Sequence, residues 1–274
     1  MSGTLVICAT PIGNLGDVST RLAEELEAAD LILAEDTRRT GALLNHLGVA
    51  TPMKSYFAGN ERGRNDELAE LLGSGLRIAL VSDAGTPVVS DPGASAVRRA
   101  VSVGAEVTAI PGPSAAVTAL SVSGFAGDRF VFDGFLPRKG SERTEAIDGI
   151  ASERRTVVVF AAKSRVAKDL ADLAAACGVD RKVVVARELT KLHEEIFRGT
   201  LGEAVDHVVG TERGEYCVVI EGAPHRPPDI DEAVQAVQQL IGGGESTSDA
   251  VREIAGAFGV SRRALYERVI AGVD

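Results

Sequence analysis

Short apolar runs that alternate with helical periodicity are the feature that most constrains how this chain folds. In the first 120 residues, runs followed by turn residues predict buried strands at Leu5–Ala9, Leu31–Ala34, Ile78–Ser82 and Val107–Ile110. Apolar residues three and four apart predict helices between them, at Arg21–Ala29, Thr40–Leu47, Asp66–Leu72 and Ala94–Val103. Strands that alternate with helices form a parallel sheet covered on both faces. The sequence therefore predicts an α/β domain here.

A second α/β domain is predicted after the turn-rich segment at residues 124–129. Its strands are predicted at Phe130–Phe135, Thr156–Phe160, Val183–Ala186, Glu195–Gly199 and Tyr216–Ile220, with helices near residues 143–151, 165–176 and 201–208. The last two strands are too close in sequence for a long crossover, so they are expected to be partly antiparallel.

A helical C-terminal module is predicted to complete the chain. A Pro-rich break at residues 222–229 precedes a helix at Asp231–Ile241, and a pair at Ser248–Ala257 and Arg262–Ile270 has the outline of a helix-turn-helix. Acidic flanks make packing or docking a better interpretation of this pair than DNA reading. The predicted domains are residues 1–124, 125–224 and 225–274.

Charge and composition narrow the function classes. The chain has 29 Lys and Arg against 39 Asp and Glu, a net charge of −10, whereas proteins that bind nucleic acid non-specifically are usually basic. Residues 138–168 depart from this balance with eight basic and four acidic residues, which indicates either an RNA-docking face or a solvated helix of mixed charge.

The three cysteines and four histidines have no metal-ligand spacing. With no basic leader and no apolar run of about 18 residues, we expect a cytoplasmic protein without a membrane partner.

Loops rich in Gly, Pro and acidic residues follow four of the predicted strands. They lie at residues 10–17, 35–40, 82–93 and 111–115. Ligands of open α/β sheets bind outside the carboxyl ends of the strands, so these loops predict the site. Asp83 has no evident local role beyond a turn contact, whereas Asp91 is predicted to be the N-cap of the next helix. Ser114 is either a cap or part of the ligand wall. The first loop nearly matches a dinucleotide fingerprint, but Pro11 replaces its first glycine, which favours a different nucleoside ligand.

Six strings carry a resemblance to a known family. They are TPIGNLGD, AEDTRRT, SDAGTPVVSDPG, IPGPSA, GFLPRKG and RELTKLHEE. In this order and spacing, the chain from about Leu5 to Glu221 resembles the ribosomal small-subunit RNA methyltransferase I family of the tetrapyrrole methylase superfamily. The resemblance implies two α/β domains of the tetrapyrrole methylase type, with S-adenosylmethionine in the cleft between them, and usually a homodimer. It also implies 2′-O-methylation of a cytidine ribose in the decoding region of 16S ribosomal RNA, with the small ribosomal subunit as partner.

The chain departs from the family pattern at two places. The family usually reads Phe/Tyr-Glu-Ser/Ala-Pro-His-Arg after the strand at 156–160, where this chain reads FAAKSR over residues 160–165. The family's histidine-bearing stretch after Tyr56 is here Phe57-Ala58-Gly59. No catalytic role is therefore predicted for a histidine or glutamate at these two places.

The resemblance, read with residue chemistry, predicts the site residues. A 2′-hydroxyl that attacks a methyl group must lose a proton, which calls for a carboxylate or a nearby cation. Asp36, Glu35 and Lys191 are the predicted catalytic residues, with helix capping as the alternative for Asp36. The predicted cofactor-binding residues are Pro11, Gly13, Asp83, Ala84, Gly85, Thr86, Ser114, Ala115, Phe160 and Ala186. The predicted RNA-binding residues are Arg38, Arg39, Tyr56, Arg138, Lys139 and Arg187.

Alternatives remain open for several of these residues and for the function. Ordinary surface charge is the alternative for Arg138, Lys139 and Arg187. Tyr56 and Phe57 are both candidates for stacking on a flipped cytosine, with core packing as the favoured alternative for Phe57. A tetrapyrrole C-methyltransferase would use the same fold but favour apolar walls, and a non-catalytic RNA-binding ribosome-assembly factor is the alternative from another class.

Overall fold

The computed structural model describes residues 2–210, 214–224 and 230–271. The chain divides into two compact units, Met1–Ala223 and Pro224–Asp274. Two five-stranded sheets form the first unit, and helices form the second. The Pro-rich break predicted at residues 222–229 falls largely on residues 225–229, outside the described residues.

The first sheet is entirely parallel, as predicted. Its strands are β1 (Thr4–Cys8), β2 (Leu31–Ala34), β3 (Met53–Ser55), β4 (Arg77–Val81) and β5 (Glu106–Ile110), in the order β3-β2-β4-β1-β5. Cys8 lies level with Val81 and Ile110, so these strands end at one edge. The pattern of apolar residues did not predict β3, because this strand is three residues long and only partly buried.

Helices cover both faces of this sheet, because nearly continuous apolar strands need cover on each side. They are α1 (Thr20–Ala28), α2 (Thr37–Leu47), α3 (Glu61–Gly73) and α4 (Ala94–Ser102), with a 3-10 turn at Leu15–Asp17. Leu22 and Leu26 of α1 pack with Val6 on one face. Leu68 of α3 packs with Leu5 on the other face. The alternation of β1 side chains thus supplies two separate cores.

The second sheet mixes parallel and antiparallel pairs. Its strands are β6 (Phe130–Phe135), β7 (Thr156–Ala161), β8 (Lys182–Arg187), β9 (Glu195–Thr200) and β10 (Tyr216–Ile220), in the order β6-β7-β10-β8-β9. β6 and β7 are parallel, and β8 is antiparallel to both β9 and β10. The last two strands were expected to be partly antiparallel: each is antiparallel to β8, which lies between them, so they do not pair with each other. β10 is buried along its whole length, which places it at the centre of the sheet, while the partly exposed β9 forms an edge.

Four helices cover the second sheet. One face carries α6 (Ser141–Ser152), α7 (Val166–Cys177) and α8 (Leu201–Val208). The other face carries α5 (Ala115–Ser123), whose Ala119 and Leu120 pack with Val158 and Val219 of the sheet. Sequence periodicity did not predict α5, because its largely apolar sequence AAVTALSVS has little amphipathic contrast. Helix α5 ends just before residues 124 and 125, between which the domain boundary was predicted, and that boundary stays a prediction.

The C-terminal unit is a three-helix module. It consists of α9 (Ile230–Gly242), α10 (Thr247–Phe258) and α11 (Arg262–Ala271). Gly259 ends α10 with a left-handed φ of 64°, a conformation that glycine adopts without steric cost. Val237, Val251 and Leu265 belong to its core. The predicted helix pair is therefore present as α10 and α11. In the described part of the whole chain, no helix is long and apolar enough to cross a membrane.

Candidate active site

Loops from both sheets of the first unit surround a cavity of about 600 Å³. The first sheet and the start of α5 contribute Ile12, Glu35, Arg39, Asp83, Ala84, Ser90, Asp91 and Ala115. The second sheet contributes Phe135, residues 160–163, Ala186, Glu188, Leu189 and residues 214–217. One wall is thus rich in carboxylates, and the opposite wall is mainly apolar with charged residues among its members.

Half of the predicted cofactor residues line this cavity. They are Asp83, Ala84, Ala115, Phe160 and Ala186. Pro11 and Gly13 instead line a neighbouring cavity of about 200 Å³. Arg39 and Asp83 line both spaces, with 3.6 Å between Arg39 Nη1 and Asp83 Oδ2. This ion pair stands where the two cavities meet.

The other three predicted cofactor residues support the wall and do not line the cavity. Gly85 exchanges two backbone hydrogen bonds with Thr10, at 2.9 and 3.1 Å, and has a φ of 81°. The Thr86 hydroxyl donates to the Pro113 carbonyl at 3.2 Å. Ser114 occupies the N-cap position of α5, but its side chain makes no capping hydrogen bond. The hydrogen bonds of Gly85 and Thr86 therefore join the loops that follow β1, β4 and β5.

Hydrogen bonds also join the loops that follow β2 and β4. The Asp83 backbone N–H donates to Glu35 Oε2 at 3.2 Å. The Asp36 backbone N–H donates in turn to Asp83 Oδ1 at 2.9 Å. Because β2 and β4 are parallel neighbours, their carboxyl ends bring these residues together although 47 positions separate Asp36 from Asp83. The strand order and these hydrogen bonds therefore hold the carboxylates of this wall in place.

Asp91 lies on the cavity wall and not at a helix cap. The prediction that it caps α4 was wrong, because Gly93 occupies the N-cap position with a φ of 132°. The Gly93 N–H donates to Glu61 Oε1 at 2.9 Å. Burial raises the pKa of Asp91 to about 6, and the nearby Glu35 carboxylate adds to the rise. Asp91 is therefore a half-buried carboxylic acid whose pKa lies well above the usual range of aspartate.

Asp36 caps α2. Its Oδ1 accepts a hydrogen bond from the Arg38 backbone N–H at 2.8 Å, and its Oδ2 accepts one from Arg38 Nη2 at 2.6 Å. These hydrogen bonds with Arg38 hold the pKa of Asp36 far below its usual range. A carboxylate with such a low pKa is a weak proton acceptor. Since Asp36 is also absent from the cavity wall, the geometry favours the capping alternative over the catalytic one.

Lys191 lies in an ion-pair cluster beside the opposite wall. Its Nζ is 2.9 Å from Glu188 Oε1 and 2.9 Å from Glu215 Oε2, and both glutamates line the cavity. Burial opposes the charge of Lys191, but its hydrogen bonds to Glu215 and Glu188 outweigh that effect and raise its pKa. A Cβ added at Gly13 would lie 2.4 Å from Lys191 Cγ, so the glycine leaves room for this side chain. Lys191 is thus a cation that two ion pairs fix in position next to the loop after β1.

Backbone strain in the described residues concentrates on two loops at this cavity. The non-glycine residues with a left-handed φ are Val88 (78°) and Ser90 (65°) after β4, and Glu188 (51°) and Thr190 (67°) after β8. Such a φ is unusual for ordinary residues and is costly for a β-branched one. Ser90 and Glu188 line the cavity from the two sheets. Both walls therefore hold strained backbone at the place where a ligand would lie.

The predicted RNA-binding arginines and lysine differ in their exposure. Arg38 exposes 89% of its side chain and Arg39 exposes 62%. Arg138 and Lys139 are exposed in the turn between β6 and α6. Arg187 is more enclosed and forms an ion pair with Glu195 at 3.1 Å. The first four side chains are accessible to a polyanion, whereas Arg187 is already engaged by a strand neighbour.

The burial of the two aromatic residues after β3 is the reverse of what was favoured for them. Tyr56 is fully buried, and its hydroxyl is 2.8 Å from Asn65 Oδ1 and 3.0 Å from Ser95 Oγ. The prediction that Tyr56 stacks on a base was wrong, because its ring belongs to the core between the sheet and α3. Phe57 exposes 46% of its surface, so its predicted place in the core was also wrong.

Part of the basic run at residues 138–168 serves the fold. Arg143 is buried and forms ion pairs with Asp169 at 2.8 Å and Asp172 at 2.5 Å. Its Nη1 also donates to the Pro137 carbonyl at 2.9 Å. Arg155 pairs with Glu153 at 2.6 Å. Fewer basic side chains of residues 138–168 are therefore available to bind RNA than the local excess of positive charge suggests.

Several cavity residues carried no usable signal in the sequence. Glu215 lies just before β10, and Lys163 stands in a segment that departs from the family pattern, whereas Glu188 directly follows β8 and stands in the string RELTKLHEE. Asp91 stands in the string SDAGTPVVSDPG, but its Asp-Pro pair has the form of a helix start. A search for acidic residues in the loop after every strand could have found Glu188 and Asp91, whereas Glu215 precedes a strand.

Comparisons with known proteins agree on one family. The model of the tetrapyrrole (corrin/porphyrin) methylases matches residues 4–205. A protein named Ribosomal RNA small subunit methyltransferase I from Synechocystis sp. is 45% identical over 269 residues, covering 97% of this chain and 96% of the relative. A protein of the same name from Xylella fastidiosa is 42% identical, covering 96% of this chain and 98% of the relative. Uroporphyrin-III-C-methyltransferase from Thermus thermophilus has a TM-score of 0.59 at 15% identity, over 80% of this chain and 94% of that one, which shows the fold alone.

Proposed function

Because the chain belongs to the ribosomal RNA small subunit methyltransferase I family of the tetrapyrrole methylases, we propose that it methylates a cytidine ribose of 16S ribosomal RNA at the 2′-hydroxyl. S-Adenosylmethionine is the proposed methyl donor, and the small ribosomal subunit is the proposed partner. The observation that carries this proposal is the cavity of about 600 Å³ between a carboxylate wall and a mainly apolar wall.

The cavity fits the chemistry of S-adenosylmethionine. Its volume falls within the range of about 300–1,000 Å³ that is typical of small-molecule sites. Apolar side chains such as Ile12, Leu189 and Ala186 suit an adenine ring, whereas Glu35 and Asp83 suit a positively charged sulfonium. When bound, the donor supplies an electrophilic methyl group, and this chain holds and aligns the reactants. Alignment supplies a large part of the acceleration in such a transfer.

The rim offers a surface for the RNA. Arg38, Arg39, Arg138 and Lys139 are exposed beside strand ends that face the cavity, and they are the proposed phosphate contacts. Phe135 is 55% exposed and lines the cavity, and its ring centroid is 5.5 Å from that of Phe160. This edge-on pair takes over the proposed stacking role that Tyr56 cannot fill. A cytoplasmic homodimer, as the family resemblance implies, is part of the proposal.

Methyl transfer to purified small subunits tests this function. Subunits from cells that lack the enzyme are incubated with the protein and tritiated S-adenosylmethionine, and the RNA is then digested to nucleosides. The proposal predicts label in 2′-O-methylcytidine, and subunits that already carry the modification serve as the control. Subunit binding without transfer would indicate a non-catalytic assembly factor, and label on a tetrapyrrole in place of RNA would indicate the other branch of the fold.

A further inference from the structure

The lining of the cavity carries more acidic than basic side chains. Its acidic residues are Glu35, Asp83, Asp91, Glu188 and Glu215, and its basic residues are Arg39 and Lys163. In RNA, the 2′-hydroxyl lies on the carbon next to the one that bears the 3′-phosphate, so a ribose presented to this cavity brings a phosphate close to its lining. Like charges repel each other more strongly where little water separates them. A phosphate at this place therefore needs a cation that offsets the carboxylates.

The two basic residues of the lining differ in their partners. Arg39 Nη1 lies 3.6 Å from Asp83 Oδ2. Lys163 is exposed, and within the described residues its side chain forms no ion pair or hydrogen bond. An unpaired ammonium gives up only water when it binds an anion, whereas a paired cation must also leave its carboxylate. Among the described residues of the lining, Lys163 is therefore the cation that is available to a ligand.

Lys163 and the exposed ring of Phe135 lie at neighbouring strand ends. Lys163 follows the last residue of β7 by two positions, and Phe135 is the last residue of β6. The two strands are parallel and Phe135 pairs with Phe160, so both loops leave the sheet at one edge. Both side chains line the cavity, and Phe135 is 55% exposed. An aromatic face and a cation on one wall suit a nucleotide, whose base stacks and whose phosphate is charged.

Buried ion pairs fix the loop of Lys163 to the loop after β6. Arg165 Nη2 donates a hydrogen bond to the Arg138 carbonyl at 3.2 Å and lies 3.4 Å from Asp169 Oδ1. The same Asp169 oxygen lies 2.8 Å from Arg143 Nη2. Because Asp169 and Arg143 are both buried, water screens their contact little. Lys163 therefore stands on a fixed loop, joined to the exposed loop that carries two of the proposed phosphate contacts.

We propose that Lys163 binds the RNA phosphate that flanks the reacting ribose and so holds the 2′-hydroxyl in line with the methyl donor, an inference that rests on the proposed function. The ammonium donates hydrogen bonds to the phosphate oxygens and offsets the negative charge of the lining. A lysine acts on a phosphate as a point charge, so the contact fixes position without reading sequence. Its contribution to the rate comes from alignment of the reactants.

The carboxylate of S-adenosylmethionine is the other anion that a cation of this cavity could bind. The exposure of Lys163 and the link from its loop to Arg138 favour the phosphate, because both place the ammonium on the side of the proposed RNA contacts. The two ligands predict different results. A contact with the donor would change the affinity of the free protein for S-adenosylmethionine, whereas a contact with RNA would act only when the subunit is bound.

The experiment compares Lys163→Gln and Lys163→Arg with wild type, using methyl transfer to unmodified small subunits over a range of salt concentrations. Lys182→Gln is the matched control, since Lys182 is also exposed but begins β8 at the end of the strand away from the cavity. We expect Lys163→Gln to lower kcat/KM by about tenfold or more and to reduce the slope of log kcat/KM against log salt by about 1. Lys163→Arg keeps the charge and should recover most of the rate and of the slope, while Lys182→Gln should behave as wild type.

Two further measurements separate this contact from other roles. Calorimetry should give Lys163→Gln the S-adenosylmethionine affinity of wild type. The variant Lys163→p-benzoylphenylalanine, irradiated in complex with the subunit, should crosslink to the nucleotide that receives the methyl group or to an immediate neighbour. The same photoreactive residue at Lys182 is the control and should give no crosslink there.

The outcomes distinguish the role of Lys163 from the proposed function. An unchanged kcat/KM and salt slope in Lys163→Gln, or a crosslink to a distant nucleotide, would overturn the role of Lys163 and leave the proposed function standing. A loss of donor affinity in Lys163→Gln would assign the ammonium to the donor carboxylate and would overturn the phosphate contact as well. Wild-type protein that transfers no methyl group to RNA would overturn both proposals.

Discussion

The loops after β2 and β4 leave neighbouring strands at the same edge of one sheet, yet each puts an aspartate to a different use. Asp36 follows β2, caps α2 and pairs with an arginine that is 89% exposed. Asp91 lies in the longer loop after β4, on the cavity wall and after two residues with strained backbone. Position at a strand end therefore locates the site, and the partners of a side chain decide what it does there.

The two loops also differ in how much stability they contribute. The hydrogen bonds of Asp36 complete the first turn of a helix, which favours the folded state. The loop after β4 holds a half-buried carboxylate whose pKa is raised, together with left-handed Val88 and Ser90, and each of these features disfavours folding. Sites that carry such costs are commonly functional. The predictions below separate the two loops by cofactor binding, RNA binding and stability.

Among the effects on binding and stability, the largest is expected on cofactor binding, from changes in the loop after β4. Asp83→Ala removes the acceptor that joins this loop to Asp36, and Gly85→Val puts a branched side chain at a φ of 81°. Each variant should weaken S-adenosylmethionine binding at least tenfold, about 1.4 kcal/mol. Calorimetric titration measures this, and wild-type affinity in both variants would show that the donor binds elsewhere.

Binding of the small subunit should respond to the exposed arginines after β2 and β6, which do not line the proposed cofactor wall with their carboxylate neighbours. Arg38→Glu combined with Arg138→Glu is expected to weaken subunit binding and to lower the slope of log affinity against log salt by about 1 for each lost phosphate contact. Cofactor affinity should be unchanged.

Arg155→Glu is the matched control for this prediction. Arg155 pairs with Glu153 two residues earlier, as Arg38 pairs with Asp36, but it precedes β7 at the end of the strand away from the cavity. An equal loss of binding in the control variant, or an unchanged salt slope in the Arg38 and Arg138 variant, would place the RNA on another surface.

A smaller effect is expected on stability at Asp36. Asp36→Ala should lower the melting temperature by a few degrees because α2 loses its cap, whereas Asp36→Asn should lower it less, since asparagine caps nearly as well as aspartate. The pKa of Asp36 is lowered in the folded state, so the stability of its ionised form is present above the unfolded value and lost as pH falls. Thermal unfolding at pH 7 checks this, and equal losses in both variants would mean that charge matters more than capping.

The smallest effect is expected on the pH dependence of stability at Asp91. Its folded pKa of about 6 lies above the unfolded value of 3.8, so the folded chain loses stability as pH rises through this interval. Asp91→Asn removes that loss and should therefore be more stable than wild type at pH 8, with a smaller difference at pH 4.5. Urea unfolding at the two pH values measures the difference, and a variant less stable at pH 8 would contradict the raised pKa.

The sequence predicted the carboxyl edge of the first sheet well, and physical reasons explain where it failed. Parallel strands end at one edge, so the loops containing Glu35 and Asp83 had to meet. Nothing local placed Glu215 beside Lys191, because β10 inserts between β7 and β8 and brings a distant segment to the cavity. The burial of Tyr56 and the exposure of Phe57 were not predicted, because β3 is only three residues long and its sequence does not establish which side of the chain faces the core.

The most direct test of the difference between the two loops is single-turnover methyl transfer by Asp36→Asn and Asp91→Asn, measured side by side with saturating donor and unmodified small subunits at pH 7.5. The two changes are chemically identical and lie after neighbouring strands. We predict a rate within about threefold of wild type for Asp36→Asn, which keeps the cap of α2, and a rate at least about tenfold lower for Asp91→Asn, because Asp91 lies on the cavity wall. A large loss in Asp36→Asn with a wild-type rate in Asp91→Asn would contradict the account and favour the catalytic role of Asp36 over its capping role.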